Sequence, residues 1–109
     1  MRRVFLVKGS AAEPYRVTFE KEGSNLKAYC TCPAGEHGLH CKHRVNILKG
    51  IEKGIVSENV ADVAGVASWL PGSDLEEAIR VVDDLEAHAS RIKKELSKAK
   101  KILARSMRD

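Results

Sequence analysis

No apolar run in this chain approaches the roughly 20 residues that a helix needs to cross a bilayer, so a helical membrane protein is excluded at the level of sequence. The opening stretch MRRVFLVKGS has basic residues but only four apolar ones before polar sequence resumes, so no secretory signal is expected. Cysteine is scarce. There are three in all, and three cannot all pair within one chain, which favours a reduced compartment. A soluble, intracellular protein is therefore expected, cytoplasmic, or nuclear if the source is eukaryotic. The chain also lacks a glycine-rich phosphate loop and any Ser/His/Asp or Cys/His nucleophile pairing outside the cysteine cluster. An enzyme is not expected, nor is a small-molecule substrate. At 109 residues a second independent core is not expected either, and a subdomain of half that length is marginal without a staple.

The few cysteines are concentrated. All three, and three of the four histidines, fall in the fourteen positions from Cys30 to His43, in CTCPAGEHGLHCKH. Zinc takes four soft or borderline ligands in a tetrahedron, and Cys30, Cys32, Cys41 and His43 supply that set. Residues at i and i+2 of a strand face the same way, so Cys30 and Cys32 can grip one ion at a strand end. Inside a helix the same spacing would separate Cys41 from His43 by about 200°. Cys41 must then precede a helix, with His43 in its first turn. Four protein ligands leave no open position, so one structural Zn²⁺ is expected, not a catalytic one. The competing reading is three reduced cysteines packed as small apolar groups. His37 and His40 compete with His43 for the fourth position, and His88 stands alone further on, at a position flanking the seam of a long helix.

Around the cluster, RRVFLVKG is a short apolar run, YRVTFEKE alternates Tyr15, Val17 and Phe19 with polar residues, and LKAYC alternates again after the turn residues EGSN. Three strands follow, the second and third forming a hairpin that delivers Cys30. Pro33, Gly35 and Gly38 forbid regular structure through the loop. The spacing of Val45, Leu48 and Ile51 predicts a helix of about three turns ending at Gly54. A second short helix is expected over SENVADVAGVASWL, capped by Ser57, with Val60, Val63, Ala64, Ala67 and Leu70 as its apolar stripe. From Ser73, a capping box with Glu76 opens a helix running to Met107. Its heptad seam, Leu75, Val82, Ala89, Leu96 and Leu103 at a and Ala78, Leu85, Ile92, Ala99 and Ser106 at d, is apolar at nine of ten positions, a coiled-coil pattern. The expected architecture is α+β: a small three-stranded antiparallel sheet with a zinc-stapled loop and helix, then a short helix and a long coiled-coil-like helix. The expected boundary places the zinc-stapled domain at 1–52 and a helical region at 53–109, with the long helix at 73–107.

Cys-x-Cys, a loop, then Cys-x-His resembles the SWIM-type zinc finger. Tyr15 and Val17 in the preceding strand, proline after the second cysteine in CTCP, and CKHRVNIL leading into a helix agree with it over residues 3 to 52. Similar domains occur in transposases, helicase-type remodellers, ubiquitin ligases and recombination cofactors, so the resemblance implies binding to DNA or to protein.

Charge is distributed in blocks. Residues 1–50 carry nine Lys/Arg against four Asp/Glu, residues 51–90 two against nine, and residues 91–109 eight against two. A polyanionic partner or charge-matched self-association follows. Three thiolates on Zn²⁺ leave about one negative charge, which Lys27, Lys42 and Arg44 can offset, so part of the first basic block is spoken for. Lys42 and Arg44 remain candidate nucleic-acid contacts. Arg91, Lys94, Lys98, Lys101, Arg105 and Arg108 fall at steps of three and four, on positions c and f opposite the seam, as one basic stripe suited to a phosphate backbone. The competing account is a solvated outer face. The expected function is nucleic-acid binding, DNA in the first instance, by a homodimer joined through the long helix, antiparallel because its first half is acidic and its second basic. The alternative is an adaptor whose finger and long helix bind a protein client, or a long helix whose first half folds back on the helix before it.

Overall fold

The computed structural model describes residues 1–108. Strands β1 (Arg2–Val7), β2 (Tyr15–Glu22) and β3 (Asn25–Cys30) form one antiparallel sheet in the order β1-β2-β3. Phe5 pairs with Val17, Phe19 with Ala28, and Val17 with Cys30. The period-2 alternation turns Phe5, Val7, Val17, Phe19, Leu26 and Cys30 into the core. The rings of Phe5 and Phe19 meet edge to face, centroids 6.0 Å apart, a preferred aromatic geometry. Gly23, at φ +57°, supplies the left-handed residue of the β2–β3 turn.

Four helices follow: α1 (Pro33–Glu36), α2 (Lys42–Leu48), α3 (Val63–Ala67) and α4 (Glu76–Ser106). Several depart from expectation. The loop after Cys32 is not devoid of regular structure. Pro33 occupies the first turn of α1, where its missing N–H costs nothing, and the Cys32 sulfur accepts from the Gly35 N–H at 3.3 Å. Helix α2 stops at Leu48, well short of Gly54. Gly50, at φ +82°, lets its N–H reach the Ile47 carbonyl and the Ile51 N–H reach Asn46, both at 2.9 Å, the Schellman ending. Ile51 is consequently exposed, and Ile47 with Leu48 enters the core.

In the next segment the buried stripe is Val63, Val66 and Trp69, while Ala64 is exposed. A 3-10 turn at Val60–Asp62 shifts the helical phase before α3 begins. Ser57 caps no helix, because its Oγ accepts the Leu6 N–H at 3.1 Å. Nor does the expected capping box form at Ser73. Its Oγ donates to the Leu70 carbonyl and accepts from Leu75 N–H, and the Glu76 N–H goes to the Ser73 carbonyl. The turn after Leu70 holds this serine, and α4 starts at Glu76.

These contacts explain why the chain divides at Glu76 and not at residue 52: Met1–Glu76 is one compact unit, and the chain from Glu77 on is a second. Segment 53–76 closes both edges of the sheet. Along β1, Gly54 accepts from Lys8 N–H, Val56 N–H donates to Leu6, and the Asn59 amide donates to Val4, at 2.7–2.8 Å. Along β3, the Asp74 carboxylate accepts the Leu26 N–H while its own N–H donates to Ser24, both at 2.9 Å. Open strand edges pair promiscuously, so this covering protects the sheet.

Helix α4 is 31 residues long and none of its side chains is buried. No helix of the described residues is long and apolar enough to cross a membrane.

Candidate metal centre

The end of the β2–β3 hairpin aims the first two ligands. Beyond Cys30, Thr31 N–H donates to Arg16 and the Arg16 N–H donates to Thr31 Oγ1, at 3.0 and 2.8 Å. Pairing thus continues one residue past the strand, and the backbone is still extended at Cys32, φ −65°, ψ 160°. Cys41 is the extended N-cap residue of α2, and His43 lies in the first turn of that helix.

The four ligand atoms lie within 4.8 Å of one another. Cys32 Sγ is 3.4 Å from Cys41 Sγ, and His43 Nδ1 is 3.5 Å from Cys41 Sγ and 3.8 Å from Cys30 Sγ. A zinc tetrahedron with ordinary bond lengths has edges of about 3.8 Å between sulfurs and about 3.6 Å from sulfur to nitrogen. The donor set and its spacing therefore fit one zinc ion. Backbone amides support it from outside: Cys32 N–H donates to Cys30 Sγ at 3.5 Å and Gly35 N–H to Cys32 Sγ, orienting the sulfurs as outer hydrogen bonds do at thiolate sites. There is no room for a side chain at Gly35, since a Cβ there would sit 2.4 Å from the Cys30 carbonyl oxygen.

Burial pushes the Cys30 thiol up to about 12. Burial acts in the same direction on Cys41, but the Arg44 N–H, the Cys32 and Cys30 side chains and the His43 N–H outweigh it and hold this thiol below its ordinary value. Burial, with the neighbouring Lys42 charge, lowers the His43 pKa and keeps its ring in the neutral, metal-binding form. The Tyr15 ring lies 5.3 Å from the His43 ring.

His37 and His40 are exposed and outside the cluster, His37 as the residue that ends α1. Arg44 donates to the Ala28 and Leu39 carbonyls, so its guanidinium clamps β3 to the ligand loop. Lys42 is exposed and lines a groove of about 750 Å³ beside the ligands, together with Lys8, His40 and Lys53. Lys8 and Lys53 carry no signal in the sequence, because only the fold brings them beside residue 42. Five cations of the stripe lie on α4, Arg108 falls in the turn beyond its end, and all six are exposed. His88 is exposed, its Nδ1 3.4 Å from the Arg91 guanidinium.

A closed Cys₃His site at a strand end and a helix start defines a structural zinc finger. Residues 15–48, just under a third of the chain, match the family model of the SWIM zinc finger, so this segment is similar to that zinc-binding domain and carries a Cys/His cluster able to bind one zinc ion. No curated protein and no solved structure matches the chain.

Proposed function

We propose that this is a non-enzymatic DNA-binding protein in which the zinc finger is a structural base and α4 both joins two copies and carries the main phosphate contacts. The observation that carries the reading is the stripe Arg91, Lys94, Lys98, Lys101 and Arg105, exposed on one face along about 21 Å of α4, with Arg108 exposed in the turn just beyond it. Among the described residues none of the six forms an ion pair. Their positive charge is therefore available to successive phosphates and would release counterions on binding. Lys8, Lys42 and Lys53 add a second cationic site on the finger.

The test is binding of the zinc-loaded protein to single- and double-stranded DNA as a function of salt. Replacing Lys94, Lys98 and Lys101 together by glutamine should weaken binding for all sequences alike and flatten the salt slope by about one unit for each phosphate that goes unneutralised. Unchanged binding in that variant, with Lys42 essential, would move the DNA-binding surface to the finger.

A second reading has its own support. The apolar seam of α4 is exposed, with Leu85 at 62 %, Leu96 at 53 % and Leu103 at 56 %, and such a seam suits a protein client. Salt-insensitive co-purification with one protein, and no retention on heparin, would favour that adaptor.

A further inference from the structure

We infer that α4 pairs with a second copy of the chain in one particular antiparallel register, the two helices crossing between Ser90 and Arg91. This rests on the dimer proposed above and names its interface. The helix is continuous over 31 residues, buries none of its side chains, and leaves Val81, Val82, Leu85, Ile92, Leu96, Ile102 and Leu103 exposed.

Residue size along the seam is distributed symmetrically about the helix midpoint. Pairing about that point sets Ala78 against the partner's Leu103, Val82 against the partner's Ala99 and Ala89 against the partner's Ile92. Leu85 meets the partner's Leu96. Three of four layers therefore match a small side chain with a larger one, as close packing requires. A parallel in-register pair would instead stack Ala89 on its own copy and Ala99 on its own copy, leaving thin layers, and would set Asp83, Asp84 and Glu86 alongside a second set of the same acids.

The flanking positions choose among the antiparallel registers. In antiparallel pairs e faces e and g faces g across the seam. The register about Ser90 and Arg91 brings Glu86 to the partner's Lys93, His88 to the partner's Glu95, and Val81 to the partner's Ile102. A slip of one heptad in one direction would face Glu86 with the partner's Glu86 and His88 with the partner's His88. A slip in the other would face Lys93 with the partner's Lys93 and Glu95 with the partner's Glu95. Like charges in those positions oppose association. Of these three registers only the central one is free of them.

The test is sedimentation equilibrium on the zinc-loaded full chain. Glu86→Lys and Lys93→Glu lie on an exposed helix face, so both variants should fold, which circular dichroism checks. The wild type should be a dimer at tens of micromolar. Each single variant should self-associate about tenfold more weakly, because two like-charge pairs replace two opposite ones in every dimer. An equimolar mixture of the two variants should recover the wild-type affinity to within about twofold, since each then meets its opposite charge. A wild-type dimer whose mixed variants stay as weak as either alone would overturn the register while leaving the dimer intact. A one-chain mass for the wild type would remove the dimer and this inference together, and would leave DNA binding by the stripe to its own test.

Discussion

Cys32 and Cys41, nine residues apart in the chain, bring their sulfurs to 3.4 Å with no disulfide between them. Both are buried, and two thiolates this close repel unless a cation lies between them. Cys32→Ala should therefore remove the metal and the fold together, because a unit the size of Met1–Glu76 has only a marginal core and its buried ligands join β3 to α2. Elemental analysis of the wild type should find about one zinc per chain, and a well-folded, metal-free Cys32→Ala protein would contradict the assignment.

The choice of histidine has its own check. His43 Nδ1 faces two of the sulfurs, and His37 and His40 are exposed outside the cluster. His43→Ala should release zinc, whereas His37→Ala and His40→Ala should retain it at the wild-type stoichiometry. Metal loss from either of the last two would show that the loop supplies the fourth ligand.

Two glycines in short helices should respond with opposite signs to alanine. At Gly35 a Cβ would press on the backbone oxygen and Cβ of Cys30, whereas at Gly65 nothing lies within 4 Å. Gly35→Ala should destabilise by about 1–3 kcal/mol and weaken zinc binding. Gly65→Ala should stabilise by about 0.5–1 kcal/mol, since it removes glycine from the interior of α3. Urea midpoints of the two zinc-loaded variants would separate them, and equal shifts would contradict the close approach at Gly35.

Zinc binding should release protons. Without metal the unit unfolds, and an exposed cysteine thiol is mainly protonated at neutral pH, whereas the ligand is the thiolate. Metal must displace that proton, so affinity falls as pH falls and rises as pH rises. His43 adds to the trend only at low pH, where its ring takes up a proton that zinc must displace. Competition with a colorimetric chelator at pH 6, 7 and 8 should show progressively tighter zinc binding, and a pH-independent affinity would mean that thiolates are not the ligands.

The strands and the metal set were legible in the sequence because they rest on local rules. Alternation at Tyr15, Val17 and Phe19 marks a strand however the rest of the chain folds, and Cys-x-Cys with Cys-x-His is a spacing constraint imposed by one ion. What misled was one local turn and packing between distant segments. Ile51 continues the helical spacing of Val45 and Leu48, but Gly50 turns the chain before that spacing can be used. Ser57 and Ser73 look like helix-start residues, yet the Leu6 amide at the sheet edge claims the Ser57 hydroxyl and the Leu70 carbonyl takes that of Ser73. The division at Glu76 follows from those edge contacts. Lys8, Lys42 and Lys53 share a groove only because the sheet and the ligand loop bring them together.

Trp69 offers the most direct measurement. It is the single tryptophan, it is 9 % exposed, and it belongs to the same compact unit as the cysteine cluster. Its emission therefore reports whether that unit stays folded when the metal leaves. Titration with a strong chelator should extract one zinc per chain and shift Trp69 emission to the red in step with extraction, and added zinc should reverse both changes. Complete loss of zinc with no change in Trp69 emission would contradict the claim that the ion at Cys30, Cys32, Cys41 and His43 holds the fold.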